Sequence, residues 1–344
     1  MSEQNAALNT VKRTTTGQQS AHVHLDIRRS RYDDRDYEAA VAIENANYPE
    51  HPQDAQSWRY WDSNREAKYL YRRYLGEING KIVATADLGH TSWSYQPGKY
   101  YVFVAVEPAN QGRGIGHAFY NYLLDELALL QPVKLVSRAR EDHAHSVRFL
   151  QRRGFKAVMR MPTSRLDVIT FDPQPFQHKL DRVLNSGIVI KTMAQLRRED
   201  PDWKRKIYDL EWECLQDVPT TDPLTRRSLE QFERMTLNHP RLLDDAWFIA
   251  VDGQRYVGLS VLWYNPNNRR LLETGLTGVV RSHRRRGIAT AMKLQAIDYA
   301  RAQGAEQIDT DNEENNPMFQ INIQLGFKPQ PAFVEFQNQF LPAV

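Results

Sequence analysis

The stretch Gln111-Gly112-Arg113-Gly114-Ile115-Gly116 decides how this chain is read, because Arg284-Arg285-Arg286-Gly287-Ile288-Ala289 repeats it. Each copy follows a β-like run, Val102 to Val106 in one case and Leu276 to Val280 in the other, and each opens an amphipathic helix. Gly114 and Gly287 stand 173 positions apart, as do Gly80 and Gly253 of two hairpin signals, Asn79-Gly80 and Asp252-Gly253. Gly154-Phe155 and Gly326-Phe327 repeat at 172. Three landmarks in one register identify a duplicated domain. The turn itself is suited to an anion. A helix start leaves its first N–H groups unpaired and carries partial positive charge. Glycine lets a phosphate approach the backbone, and the flanking arginines add charge. The spacing is neither G-x-x-x-x-G-K-[ST] nor G-x-G-x-x-G, so the common nucleotide loops are excluded.

The pattern [QR]-x-x-G-x-[GA] between strand and helix resembles the acetyl-CoA signature of the GNAT N-acetyltransferase superfamily. The resemblance extends to the later helix, where that family usually has N-x-x-A-x-x-x-Y and then G-F. Here Asn315, Met318, Asn322 and Gly326-Phe327 stand in the second half, and His143, Ser146, Leu150 and Gly154-Phe155 in the first. The layout is similar to two-domain members such as the mycothiol synthases. The resemblance implies an α/β (α+β) fold of two tandem domains. Each would be a mostly antiparallel mixed sheet flanked by helices, with a splayed strand pair at the acetyl-CoA cleft. The expected boundaries are a disordered tail over 1–20, a first domain over 21–165, a linker over 166–186 and a second domain over 187–344.

What the resemblance implies for the site is specific. Acetyl-CoA would be held in the first half by Val104, Val106, Gln111, Gly112, Arg113, Gly114, Ile115 and Gly116. In the second half it would be held by Leu276, Thr277, Val279, Arg284, Arg285, Arg286, Gly287, Ile288, Ala289, Thr290 and Asn315. Eleven residues before each turn stand Tyr100 and Glu273, and histone-type members carry their general base at this offset, so Glu273 is the expected base. The tyrosine that usually protonates the leaving thiolate is absent: Leu150 and Asn322 hold its two positions. Leu150 can donate no proton, whereas Asn322 can hydrogen-bond the sulfur. Catalysis is therefore expected in the second half, with the first binding cofactor or serving as scaffold. Asp309, Asp311, Glu313 and Glu314 either draw a cationic amine toward the cleft or cap a helix. Trp93, Tyr95, Trp247, Trp263 and Tyr264 are divided between pocket and core.

Composition narrows the class. Lys and Arg number 45 against 42 Asp and Glu, a net charge of +3. That is too balanced for a protein that coats nucleic acid. Arg281 with Arg284 to Arg286 could grip a phosphodiester, but the helix that follows favours a pyrophosphate. One cysteine, Cys214, allows no intrachain disulfide and fits a reducing compartment. No signal peptide or membrane span is legible, so a cytoplasmic location is the default. The pairs His22/His24 and His143/His145 lack the companions of a metal site, and no metal is expected. The expected reaction is acetyl-CoA-dependent transfer to the primary amine of a small molecule. A protein N-terminus or lysine as acceptor, and a catalytically inactive CoA sensor or scaffold, are the alternatives. No nucleic-acid or membrane partner is expected. The two domains would form a pseudo-dimer within a monomer or homodimer.

Overall fold

The computed structural model describes residues 24–340, so the expected tail over 1–20 lies outside the described residues. The first half runs β1 (Asp26–Arg29), α1 (Asp34–Asn47), α2 (Ala55–Ser63), β2 (Tyr71–Ile78), β3 (Lys81–Gly89), β4 (Lys99–Val106), α3 (Ile115–Ala128), β5 (Lys134–Arg140), α4 (Ala144–Gln151) and β6 (Lys156–Asp167). A connecting helix, α5 (Gln177–Asn185), leads to β7 (Val189–Thr192), α6 (Met193–Glu199), α7 (Trp203–Leu215), α8 (Leu229–Phe232), β8 (Leu242–Asp252) and β9 (Arg255–Tyr264). The chain ends with β10 (Leu271–Val279), α9 (Ile288–Ala302), β11 (Gln307–Asp311), α10 (Pro317–Gln324) and β12 (Lys328–Gln339).

Local chemistry accounts for the element ends. The side chains of Asp33 and Asp54 accept from the amides of Asp36 and Ser57, which caps α1 and α2. Asn79 and Gly80 lie at φ +50° and +77°, the left-handed pair that a tight hairpin requires between β2 and β3. Both halves therefore begin the same way, each as an antiparallel meander closed by a parallel pair: β4 with β5, and β10 with β11.

The strands form one mixed sheet in the order β1-β2-β3-β4-β5-β12-β6-β11-β10-β9-β8-β7. Its centre shows an exchange that the sequence reading did not contain. The last strand of the chain, β12, pairs with β5 of the first half. The last strand of the first half, β6, pairs with β11 of the second. The two exchanged strands are also antiparallel neighbours. The cores follow them: Phe336 of β12 packs in the first-half cluster with Phe119, Leu123 and Leu135. Leu166 of β6 and the adjacent Val168 pack in the second-half cluster with Ile297 and Ile308. Each such side chain is nearly sealed from water, a burial worth about 1.5–3 kcal/mol apiece. Helices α1 and α2 cover the opposite face of the first half, over Phe103, Ala105 and Leu75. No helix among the described residues is long and apolar enough to cross a membrane.

Candidate active site

The first turn is open. Strand β4 pairs with β5 only at Lys99, Tyr100 and Tyr101, while its other edge stays bonded to β3 as far as Val106. From Val102 onward the two strands part, and the β5-facing polar groups of β4 are free for a ligand. Gly112 and Gly114 sit at φ +75° and +82°, and a Cβ on either would meet nothing within 4 Å. The Gln111 side chain fixes the loop by donating to the Val106 carbonyl (3.1 Å) and to Asn47 Oδ1 (2.9 Å). Helix α3 then starts with no side-chain cap, so its first amides remain available to an anion. A cavity of about 520 Å³ runs from this turn along Val104 and Val106, with Gly116 and Tyr120 on one wall and Arg148 and Arg152 at its rim. Arg153, also at the rim, lies over the Phe149 ring at 3.4 Å and bonds His117 Nδ1 at 2.8 Å. These residues fit a phosphorylated, elongated cofactor. The glycine cradle would suit a pyrophosphate and the basic rim a further phosphate.

The second turn repeats the backbone and closes the site. Arg285, at the place of Gly112, adopts φ +61°, and Gly287 φ +86°. Arg284 donates to the Val279 carbonyl at 2.9 Å, as Gln111 does to Val106, and it also bonds Asp217. The connecting helix α5 lies against the turn. A Cβ at Gly287 would be 3.6 Å from Val183 and 3.8 Å from the Lys179 carbonyl. Ala289, Thr290 and Lys293 are buried, whereas Gly116, His117 and Tyr120, 173 positions earlier, line the first cavity. Lys293 makes no hydrogen bond among the described residues, and burial pulls its ammonium down to about 7. Thr277 shares a 3.0 Å hydrogen bond with Ser260, and β10 is irregular between Thr274 and Thr277.

The other expected site residues are engaged elsewhere. Glu273 is ion-paired with Arg241 and accepts from Asn265 Nδ2 at 2.7 Å. Both oxygens of its carboxylate are thus already engaged within the second half. Asn322 is fully buried and donates to Asn312 Oδ1 at 2.6 Å. Asn315 is exposed and bonds Glu313 at 2.8 Å. The acidic stretch is divided: Asp309 makes a two-point pair with Arg165 of β6 at 2.7 Å, Asp311 accepts from Thr163 at 2.6 Å, and Glu314 meets Arg160 at 3.0 Å. Trp247 is core, while Trp93 is half exposed.

A second cavity, of about 510 Å³, lies on the α1/α2 face of the first half. The two cavities share Phe103, Ser137 and Arg138, so they adjoin at the place where β4 and β5 part. Most charges in the second cavity are paired. Arg73 bonds Asp87 (2.9 Å) and Asp62 (3.2 Å) and lies over Trp58. Asp222, from the second half, holds Lys99 at 3.1 Å and Lys134 at 2.5 Å. Two side chains are different. Glu44 is 6% exposed, and no described residue donates a hydrogen bond to its carboxylate. Burial raises it to about 7, against the opposing pull of Arg138. Arg138 is exposed and lines the cavity, between the rings of Phe103 and Phe333, each 5.5 Å away. The neighbouring Tyr101 and Glu44 strengthen its hold on its proton. Neither residue was singled out from sequence. The available signal was Glu44 on the buried stripe Tyr37, Ala40, Val41 of α1, where an unpaired charge is costly.

Fold and cleft define an acyltransferase of the GNAT type. The model of the Acetyltransferase (GNAT) family matches residues 36–155 and again 204–322, and the chain belongs to that family. It is similar to the L-methionine sulfoximine/L-methionine sulfone acetyltransferase of Salmonella typhimurium (strain LT2), with 32% identity over 108 residues. That match covers 29% of this chain and 62% of the relative's length. Among solved structures, a tandem GNAT protein from the clavulanic acid biosynthesis pathway aligns with a TM-score of 0.72 at 17% identity, covering 93% of this chain and 100% of that one. A GCN5-related N-acetyltransferase from Sphaerobacter thermophilus aligns at 0.64 and 18%, covering 93% and 97%. These likenesses establish the tandem fold.

Proposed function

We propose that the chain is an acetyl-CoA-dependent N-acetyltransferase for a small-molecule primary amine, and that the first half carries the chemistry. The observation behind this reading is that the two cavities adjoin where β4 and β5 part, sharing Phe103, Ser137 and Arg138, with Glu44 in the lining of the second. The reading departs from the second-half site expected from sequence, because α5 packs against Gly287 of that turn, Ala289, Thr290 and Lys293 behind it are buried, and Glu273 is already paired. The cofactor, gripped by Gly112, Gly114, the start of α3 and the basic rim, supplies an acyl group activated as a thioester. The amine attacks from the α1/α2 side. Glu44 takes the proton that the ammonium must lose before its nitrogen can bond the acyl carbon. A carboxylate raised to about 7 by burial is more basic than an ordinary one and suited to accept that proton near neutral pH. The freed amides of β4 beyond Tyr101 are the donors nearest the gap and stabilise negative charge developing on the acyl oxygen. The thiolate leaves without a tyrosine at position 150, so its proton comes from solvent or the bulk.

The second half is then a scaffold, contributing β12 to the first-half sheet and Asp222 to the acceptor cavity. Calorimetry with acetyl-CoA, combined with turnover of an amine panel by the wild type and Glu44→Gln, tests the proposal. One binding equivalent and a variant that binds but barely turns over are expected. A variant with undiminished kcat would refute Glu44 as base.

A further inference from the structure

Glu44 and Arg138 raise a question that amine acetylation alone leaves unanswered. A base is needed for the ammonium, but an arginine beside it opposes binding of a cation. Arg138 stands on β5 at the gap itself, lining both cavities. None of the described residues accepts a hydrogen bond from its guanidinium. The other carboxylates whose charge it feels are Glu44, Asp87 and Asp311. Asp87 is taken by Arg73 and Asp311 by Thr163. Glu44 and Arg138 line the same cavity and influence each other's ionisation, yet no hydrogen bond joins them. The Arg138 guanidinium is exposed to the cavity and has no acceptor among the described residues, so its donors are open to a ligand, and its planar fork matches a carboxylate.

We propose that the acceptor is an amino acid: Arg138 binds its carboxylate while Glu44 faces its ammonium, and its side chain lies against the aromatic wall of Trp58, Trp61, Tyr71 and Trp93. This assignment rests on the first-half reading above. A neighbouring acid and guanidinium read an ammonium and a carboxylate separated by one carbon. The charges beside the wall are paired within the protein, Arg73 with Asp62 and Asp87 and Arg65 with Asp62, so what they leave open suits an apolar or aromatic side chain. Arg138 on this account is a specificity residue that touches substrate and orients the amine toward the gap.

The test compares amino acids with the amines that lack only the carboxylate: L-phenylalanine with phenethylamine, L-leucine with 3-methylbutylamine, and L-methionine with 3-(methylthio)propylamine. Thiol release is followed at saturating acetyl-CoA for wild type, Arg138→Met and Arg138→Lys. Wild type should favour at least one amino acid over its amine by roughly 10²-fold or more in kcat/KM, because a site built to bond a group rejects the analogue lacking it. Arg138→Met should bring that ratio close to one, mainly through KM. Arg138→Lys should retain part of it, a point charge replacing the fork. Equal use of both members of every pair by wild type, preference for the amines, or a ratio that survives Arg138→Met overturns the proposal, as does a panel with no turnover. If Arg138→Met fails to fold, the wild-type ratio and Arg138→Lys still decide. Gly114→Asp in the same assay separates the two claims. Turnover that it abolishes, with a flat ratio in wild type, removes only the amino-acid assignment. Turnover that it leaves intact removes the first-half reading beneath it.

Discussion

The two halves share a backbone and differ in what covers it. At the first turn a side chain from the end of α1, Asn47, receives Gln111. At the second, Asp217, just past α7, receives Arg284. Three residues before each partner stand Glu44 and Cys214. Glu44 faces a cavity shared between sheet and helices. Cys214 is pressed against β10 so closely that a Cβ on Gly278 would lie 2.6 Å from its own, and burial pushes its thiol up to about 12. The same contrast runs along the helices. Gly116, His117 and Tyr120 border open space, whereas Ala289, Thr290 and Lys293 are covered by α5 and its neighbours. A phosphate-binding turn is thus a necessary feature and an insufficient one; what lies over it decides whether a ligand can reach it.

The sharpest way to break this comparison is to spoil each turn in turn. Gly114→Asp forces a left-handed residue to carry a Cβ and sets a carboxylate where a pyrophosphate belongs. Acetyl-CoA affinity should fall by roughly 10³-fold or more. Gly287→Asp should leave affinity and a stoichiometry of one unchanged, because α5 already occupies that ground. Calorimetry showing two equivalents, or loss only in the second variant, would reverse the assignment of the halves.

The exchanged strands give the next largest effect. Phe336→Ala removes a side chain near the end of the chain, yet the cavity it leaves is in the first-half core. Denaturant unfolding should show a loss of about 3–5 kcal/mol, and acetyl-CoA binding should weaken with it. Leu166→Ala, early in the chain, should cost about 2–5 kcal/mol in the second-half core and spare the cofactor site. If each variant damaged the half in which its residue is encoded, the exchange of β6 and β12 would be wrong.

Glu44→Gln should lower kcat/KM by about 10²-fold or more while sparing acetyl-CoA affinity. Wild-type kcat/KM should climb with pH to a plateau above about 7, where Glu44 is ionised, and that limb should vanish in the variant. Glu273→Gln breaks the Arg241 pair and should act on stability more than on the pH profile. An acidic limb that follows Glu273 instead would restore the second half as the working enzyme.

Much of this was legible in the sequence. The duplication, both turns, the hairpins and the order of most elements follow from glycine spacing and hydrophobic period, which are local. The exchange was not, because β6 and β12 carry nothing in their own residues that names a partner strand; their pairing is settled by which core has room for Leu166 and Phe336. The same limit explains the choice of half. Asn315 and Asn322 look like site residues by motif, and only the fold shows one bonded to Glu313 at the surface and the other sealed inside. Glu44 and Arg138 sit on elements with no motif, 94 positions apart, and come to line one cavity through the packing of α1 over β3 and β4.

Lys293 offers the smallest and cleanest check. It occupies the covered face of α9, fully buried, with the Phe327 ring 5.4 Å away as its one favourable contact for charge. Its ordinary value of 10.5 falls to about 7 in the fold because burial penalises the ammonium. Between pH 7 and 10.5 the unfolded chain therefore binds one more proton than the native protein, so stability rises with pH across that window. Below about 7 the lysine is protonated in both states and the penalty is carried in full. Lys293→Met keeps an unbranched side chain of similar length and removes the charge. It should stabilise the protein by about 1–3 kcal/mol at pH 7, and the gain should shrink as pH approaches 10. Thermal unfolding of both proteins at pH 6, 7, 8 and 9.5 measures this directly. A gap that does not narrow with rising pH would mean that the amine reaches water or an anion, and that the second cleft is open after all.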